Sequence, residues 1–201
     1  NEKKTIFQAV DEDFKSKYGL RDYYLQYHNN FKYSVLNESA IPRKVVVGKE
    51  GWFFLGNSSS NVIYESLRSS IFTMQEKELI KNKFYENKTW LDSMGTSYFT
   101  CVAPNKISVY PEKFYDKELS GMSKFDDLKQ FLARNNWNLI DLKKKILAKK
   151  DSIRLYHKTD THWNDYGAYL GYLELIENLN IKFPDIKPLG LNHFNRVELD
   201  S

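Results

Sequence analysis

Helical and β-type segments alternate along residues 74–180, and this alternation restricts the possible folds more than any other feature of the sequence. Helix-type apolar spacing covers 74–94, 124–135, 143–149 and 166–176, and β-rich runs cover 96–103 and 137–142. Such alternation is typical of βαβ units, in which helices cover the faces of a parallel sheet. The sequence therefore predicts an α/β domain with a parallel sheet and flanking helices.

The first part of the chain shows two further patterns. Val45–Val47 and Trp52–Leu55 are apolar runs around the glycine-bounded segment Gly48–Gly51, which predicts a β-hairpin. Aromatic residues at helical spacing over 12–37 predict two short helices, broken at Gly19, that pack on the main body. A length of 201 residues favours one core over two. We therefore expect an N-terminal helical lead-in, residues 1–40, and one α/β domain, residues 41–201.

Charge and cysteine content exclude several classes of protein. The 30 basic and 26 acidic side chains leave a net charge of +4 spread over the whole chain, which does not fit a nucleic-acid-binding protein. Cys101 is the only cysteine, so intrachain disulfides and thiolate zinc sites are excluded. No run approaches the roughly 18 apolar residues of a transmembrane helix. Because the sequence starts at Asn1, we expect any signal or membrane anchor to lie outside it.

Asp160 and His162 are the leading candidates for catalysis. They lie two residues apart before a helix whose predicted N-cap is Asn164, so the carboxylate can hold one imidazole nitrogen while the other takes a proton. This arrangement activates a serine hydroxyl for attack on an acyl carbon. The adjacent Trp163 can wall the site and contact substrate.

Other interpretations of this segment stay open. With His157, the pair offers two imidazoles and a carboxylate within six residues, enough for most of a zinc or iron site. Alternatively, His162 only caps or packs. No other ligand cluster accompanies these residues, so we predict that the protein binds no metal and no other cofactor.

Asn105 and Lys106 follow the end of the predicted strand that Pro104 terminates. Ligands of open α/β sheets bind at the carboxyl ends of strands. The Asn105 amide can stabilise an oxyanion there, and Lys106 can contact an anionic sugar. A turn asparagine and a solvated lysine explain the same two residues equally well.

Four sequence blocks together resemble the alginate O-acetyltransferase family of SGNH-hydrolase-like domains. The most specific is Asp160-Thr161-His162-Trp163, and the supporting blocks, in the family's order, are Tyr18 to Asp22, Gly48 to Phe54, and Pro104 to Lys106 with Tyr110 to Glu112. The resemblance implies a flavodoxin-like SGNH fold, with Asp160 as the orienter and His162 as the base. It also implies a periplasmic or extracellular enzyme that acetylates the hydroxyls of a polysaccharide, with the acetyl donor supplied by a membrane-bound O-acyltransferase.

The nucleophile is the missing part of this interpretation. The family's serine lies well downstream of its histidine, so we expect a domain truncated at its C-terminus, with the serine beyond Ser201. Ser97 falls inside a predicted strand, and Ser58–Ser60 lie on a loop without a helix N-terminus behind it, so none fits the role. The alternatives are a carbohydrate acetylesterase, a non-catalytic polysaccharide-binding or assembly module, and a metal-dependent hydrolase.

Overall fold

A computed structural model of the chain describes residues 20–58, 61–68, 70–114 and 121–195. Its helices are α1 Arg21–Leu36, α2 Val62–Ser66, α3 Met74–Ser93, α4 Lys106–Val109, α5 Pro111–Phe114, α6 Lys124–Arg134, α7 Lys143–Lys149 and α8 Asp165–Asn180. Its strands are β1 Val45–Val47, β2 Phe53–Leu55, β3 Thr100–Val102 and β4 Leu139–Asp141. Single 3₁₀ turns lie at Lys49–Gly51 and Leu191–His193. Helices α3, α6, α7 and α8 occupy the predicted helical segments.

The strands form small sheets. β1 and β2 pair antiparallel, with Val46 opposite Phe54, which confirms the predicted hairpin. β3 and β4 pair parallel, with Cys101 opposite Ile140. The mixed helix and strand content fits an α/β domain, but within the described residues the parallel sheet has only these two strands. The broad flavodoxin-like sheet is therefore not confirmed by the described residues. The β-type run at 96–103 is a strand only from Thr100 to Val102.

Side-chain caps define where the main helices begin. Thr73 and Glu76 form a reciprocal capping box at α3, which satisfies two backbone N–H groups of the first turn. Ser123 caps α6. The Asn164 side chain accepts a 3.1 Å hydrogen bond from the Gly167 N–H, so the N-cap predicted for α8 is confirmed. The loop that contains Trp163 therefore ends at Asn164, the N-cap of α8.

Among the described residues, the larger hydrophobic cluster lies between the hairpin, α4, α7 and the segment before residue 157. Its buried members are Trp52, Phe54, Ile107, Val109, Tyr110, Ile146, Leu155 and Tyr156. The second cluster joins α6 to β4 through buried Leu132, Trp137 and Leu139. Because Leu155 and Tyr156 are almost fully buried, the chain leaves the core directly into the segment that carries the candidate residues.

The lead-in differs from its prediction. The described part is one helix, α1, and the first predicted helix lies outside the described residues. Most aromatic side chains of α1 are exposed, among them Tyr23, Tyr24 and Tyr27. Near the end of the helix, the Tyr33 ring meets the Phe53 ring edge-on at 5.4 Å. The described part of the lead-in, from residue 20 onwards, therefore packs on the body less than predicted. The division at residue 40 stays a prediction. None of the helices in the described ranges combines the length and apolar character needed to cross a membrane.

Candidate active site

The candidate residues lie on a closed loop between the core and α8. We call residues 157–163 the histidine loop. Tyr156 and Trp163 form an antiparallel bridge across its base, and the His157 N–H donates a 3.2 Å hydrogen bond to the His162 carbonyl. Just outside the bridge, the Asn164 N–H donates to the Leu155 carbonyl at 3.0 Å. The loop is thus held by backbone hydrogen bonds on both sides of its base.

Asp160 and His162 are in direct contact. The Asp160 Oδ1 lies 2.6 Å from the His162 Nδ1 and also accepts a 2.7 Å hydrogen bond from the His162 backbone N–H. The hydrogen bond from the backbone N–H has the largest effect and that from the imidazole the second largest, and together they hold the pKa of the Asp160 carboxyl below its usual value. The carboxylate is therefore charged at neutral pH. It favours the imidazole tautomer that carries its proton on Nδ1, which leaves the Nε2 lone pair to accept a proton.

The other face of the imidazole is open. The side chain of His162 is 80% exposed and that of Asp160 is 56% exposed. In the parts of the chain that the structure describes, no serine hydroxyl is hydrogen-bonded to the imidazole. The structure therefore brings together the predicted base and orienter, and the identity of the nucleophile stays a prediction.

Lys106 lies beneath the histidine loop, in a position that the sequence analysis did not anticipate. Only 4% of the residue is exposed, and its Nζ donates to the carbonyls of Phe53, Lys158 and Asp160 at 2.7, 2.7 and 3.0 Å. Burial lowers the pKa of the ammonium to about 8, against the attraction of the Asp160 carboxylate, which raises it. All three N–H groups donate to carbonyls within the protein, so Lys106 has a structural role here. Its predicted contact with an anionic sugar stays a prediction.

The sequence contained a signal for this burial. Lys106, Val109 and Tyr110 occur at i, i+3 and i+4, the spacing of one helical face, and all three are buried. A lysine at such a position must find several hydrogen-bond acceptors inside the protein, because a buried charge without partners is strongly destabilising. The spacing therefore indicates that Lys106 shares a helical face with two apolar residues, but it does not show which segments cover that face.

Asn105 is the N-cap of α4. Its Oδ1 accepts a 2.9 Å hydrogen bond from the Ser108 N–H, and its Nδ2 donates to the Ser66 Oγ at 3.2 Å. These contacts of Asn105 are those expected of an asparagine in a turn, and the residue is exposed. The predicted oxyanion role stays a prediction.

Trp163 is partly buried and packs against the core and α8. Its ring lies so close to Gly171 that an added Cβ at that glycine would approach ring atoms to 3.1 Å. The indole therefore anchors the histidine loop on α8. The predicted substrate contact of Trp163 stays a prediction.

A cavity of about 230 Å³ opens at the carboxyl ends of both parallel strands. We call it the strand-end cavity. It is lined by Glu65, Ser66, Arg68, Val102, Ala103, Pro104, Asn105, Ile107, Ser108, Pro111, Ser123, Lys124, Phe125, Asp141 and Lys143. Lys124 pairs with Glu65 at 2.7 Å, and Asp141 pairs with Lys129 at 3.0 Å. Pro104 and Asn105 line the cavity, and the next residue, Lys106, donates to the Asp160 carbonyl of the histidine loop. The Tyr156 hydroxyl, at the base of that loop, donates to the Pro104 carbonyl.

The metal interpretation needs a convergent set of donors. Within the described ranges, no group of three or more His, Cys, Asp or Glu side chains is placed to hold a metal ion. Of the three residues that suggested such a site, Asp160 and His162 bind each other, whereas His157 contributes a backbone bond to the loop. The segment is therefore organised as a hydrogen-bonded pair.

The serines considered from the sequence are placed as follows. Ser97 precedes β3 instead of lying within it, so the strand argument against it does not apply. Ser58 is exposed, and its N–H donates to the Arg43 carbonyl at 2.8 Å; Ser59, Ser60 and Ser201 lie outside the described residues. A further serine, Ser108, lines the strand-end cavity, and its hydroxyl donates to the Asn105 carbonyl at 2.8 Å.

The comparison with protein families draws on most of the chain. The family model described as "SGNH hydrolase-like domain, acetyltransferase AlgX" matches residues 45–198. The chain belongs to this family. The matched region runs from the hairpin through the Asp160–His162 pair and ends three residues after the last described residue. The family resemblance that the sequence blocks indicated is therefore confirmed.

Two solved structures are similar to this AlgX-family chain at low sequence identity. The O-acetyltransferase domain of Pseudomonas putida AlgJ is 19% identical, with a TM-score of 0.49 over 70% of this chain and 48% of that one. Bacillus cereus PatB1 with a sulfonyl adduct is 15% identical, with a TM-score of 0.45 over 69% of this chain and 43% of that one. The chain thus spans less than half the length of either structure. No curated protein sequence matches it.

Proposed function

We propose that this chain provides the acid/base machinery of an extracytoplasmic polysaccharide O-acetyltransferase. The observation that carries the proposal is the 2.6 Å contact between the Asp160 Oδ1 and the His162 Nδ1, with the imidazole 80% exposed on a loop of an AlgX-family domain. A base held in one tautomer by a carboxylate, with its second nitrogen facing outward, is the arrangement used in acyl transfer through a serine.

In the proposed reaction, a serine outside the described residues attacks the carbonyl carbon of an acetyl donor. The His162 Nε2 takes the hydroxyl proton as the tetrahedral intermediate forms, and the Asp160 carboxylate stabilises the resulting imidazolium. The imidazolium returns the proton to the leaving group, which leaves an acetyl-serine. A sugar hydroxyl then attacks this ester, gives its proton to Nε2, and leaves as the acetylated sugar while the proton returns to the serine oxygen.

The strand-end cavity is the proposed site of the acceptor sugar. It lies at the carboxyl ends of β3 and β4, where ligands of open α/β sheets bind, and it combines the Phe125 ring with the hydroxyls of Ser66 and Ser108. Aromatic rings pack against the apolar faces of sugars, and hydroxyls exchange hydrogen bonds with their edges. The neighbouring Lys143 adds a cationic donor at the start of α7.

The acetyl donor and the location are further parts of the proposal. A membrane-bound O-acyltransferase would supply the acetyl group, and transfer would take place in the periplasm or outside the cell. No nucleic acid takes part.

The test measures turnover of acetyl esters by the complete gene product. The wild type is compared with a variant that lacks the His162 imidazole. Turnover of a small activated acetyl ester should depend on His162, and an added oligosaccharide should become acetylated. Equal turnover by the protein and by its His162→Gln variant would overturn the proposal and leave a polysaccharide-binding or assembly module as the better account.

A carbohydrate acetylesterase is the second candidate, and the exposure of the Asp160–His162 pair favours it. An imidazole that is 80% exposed can activate water as readily as a sugar hydroxyl. The two functions differ in which nucleophile resolves the acetyl-serine. Free acetate as the only product in the presence of saturating oligosaccharide would identify the esterase, whereas acetylated sugar would identify the transferase.

A further inference from the structure

We propose that Lys106 is a positioning residue that sets the geometry of the Asp160–His162 pair through the backbone of the histidine loop. This role of Lys106 deepens the proposed function, and its relevance to catalysis rests on that function. The geometric part of the proposal can be tested independently of any activity.

The ammonium of Lys106 binds the histidine loop to the hairpin. Its Nζ reaches the carbonyls of Lys158 and Asp160 on the loop and that of Phe53 on β2. The Phe53 N–H donates to the Lys158 carbonyl as well, at 2.7 Å. The stretch from Lys158 to Asp160 is therefore attached at both ends to one buried cation. One of its attachment points is the backbone of the residue that orients the imidazole.

The surroundings explain why a side chain with three N–H donors lies at this position. The Nζ lies 4.8 Å from the centroid of the Trp52 ring and 5.1 Å from that of the Phe54 ring, in an apolar environment. Three carbonyls and two aromatic faces compensate for the loss of water around the ammonium. Without the ammonium, three carbonyl oxygens would lose a donor inside the protein, so the loop would have to shift towards water.

The charges near Lys106 support the same assignment. The carboxylate of Asp160 attracts the ammonium, whereas the guanidinium of Arg154 repels it. The Asp160 residue thus accepts a hydrogen bond from Lys106 through its carbonyl and holds His162 through its carboxylate. A displacement of the Asp160 backbone would therefore move both its carbonyl and its carboxylate.

The test uses the tautomer of His162 as its readout. The sequence contains only four histidines, so a chain labelled with ¹⁵N-histidine gives few ring signals, and the His162→Gln variant assigns those of His162. A free neutral imidazole prefers its proton on Nε2, whereas the contact with Asp160 holds it on Nδ1. We expect the wild-type signals to show the Nδ1-protonated form and those of Lys106→Met to shift towards the free-imidazole mixture.

Lys150→Met is the matched control. Lys150 is also a largely buried lysine, with an exposure of 19%, and it donates to the Val109 carbonyl at 3.0 Å, but it has no contact with the histidine loop. Its replacement should leave the His162 tautomer unchanged. If Lys106→Met keeps the wild-type tautomer, or if Lys150→Met disturbs it equally, the proposal is overturned.

A second measurement in the wild type covers the case in which Lys106→Met does not fold. Couplings through hydrogen bonds should connect the Lys106 ¹⁵Nζ to the carbonyl carbons of Phe53, Lys158 and Asp160, and the ammonium protons should exchange with water at least about tenfold more slowly than those of exposed lysines. Rapid exchange without these couplings would overturn the proposal. The proposed function would still stand in that case, because its own test is the dependence of ester turnover on His162.

Discussion

A single oxygen atom of Asp160 accepts hydrogen bonds from both the backbone N–H and the Nδ1 of His162, at 2.7 and 2.6 Å. The backbone bond fixes the turn, and the ring bond fixes the orientation of the imidazole within that turn. An exposed histidine usually samples several rotamers, but here one carboxylate restrains both its main chain and its side chain. The protein itself therefore holds the pair in one geometry, which the proposed role of His162 as a general base requires.

Replacement of the base should abolish turnover without loss of the fold. In the complete gene product, His162→Ala should lower ester turnover by at least about 10³-fold, as for other triads that lose their base. The thermal midpoint should hardly change, because the side chain is 80% exposed. Steady-state kinetics and circular dichroism measure the two quantities. His157→Ala is the control, since its ordered contact is made by the backbone N–H.

Asp160→Asn should separate orientation from charge. The asparagine oxygen can still accept the His162 backbone N–H, so the turn should persist. The amide no longer provides a negative charge for the imidazolium, and its NH₂ group favours the wrong tautomer, so turnover should fall by about 10²–10⁴-fold. Asp165→Asn, an exposed acid in the first turn of α8, serves as control. Wild-type turnover by Asp160→Asn would show that the carboxylate has no part in the reaction.

The stability of the protein should depend on alkaline pH through Lys106. Its folded-state pKa of about 8 lies below the ordinary value of 10.5, so between these values the unfolded chain binds more protons than the folded one. The contribution of Lys106 to the free energy of unfolding is therefore lowest below pH 8 and increases as the pH rises towards 10.5. Urea unfolding of wild type and Lys106→Met should diverge over this range. Parallel curves would contradict the lowered pKa.

The strand-end cavity should contribute to acceptor binding. Lys143→Ala should raise the KM for an oligosaccharide acceptor by about fivefold to tenfold, equivalent to about 1–1.4 kcal/mol, with little change in kcat. Lys144→Ala is the matched control, because this neighbour is exposed and does not line the cavity. An unchanged KM for Lys143→Ala, or an equal rise for both variants, would place the acceptor elsewhere.

Two glycines of α8 should respond differently to alanine. At Gly167 an added Cβ would lie 2.3 Å from the Leu155 carbonyl oxygen, which is backbone and cannot rotate away. At Gly171 the nearest atoms belong to the Trp163 ring, at 3.1 Å. Gly167→Ala should therefore destabilise the fold by about 2–3 kcal/mol. Gly171→Ala should be nearly neutral, because about 1 kcal/mol of gained helix propensity offsets the crowding. Urea titrations of both variants measure this, and equal losses would contradict the packing described here.

Local features of this protein could be predicted from the sequence. The hairpin of Val45–Val47 with Phe53–Leu55, the N-cap at Asn164 and the contact between Asp160 and His162 each involve residues that are close along the chain. Alternating apolar residues, capping side chains and short loops act within a few positions, so their outcome hardly depends on the rest of the fold.

Only the tertiary structure decided the number of paired strands and the role of Lys106. The two parallel strands pair over three residues, although the β-type run at 96–103 is longer, because strand pairing depends on a distant partner and not on propensity alone. The bonds of Lys106 join residues 52–54 positions apart. A lysine beside a turn asparagine looks like a solvated residue until the hairpin and the histidine loop close over it. Burial depends on which segments pack together, and for Lys106 that packing turned an expected surface cation into an internal one.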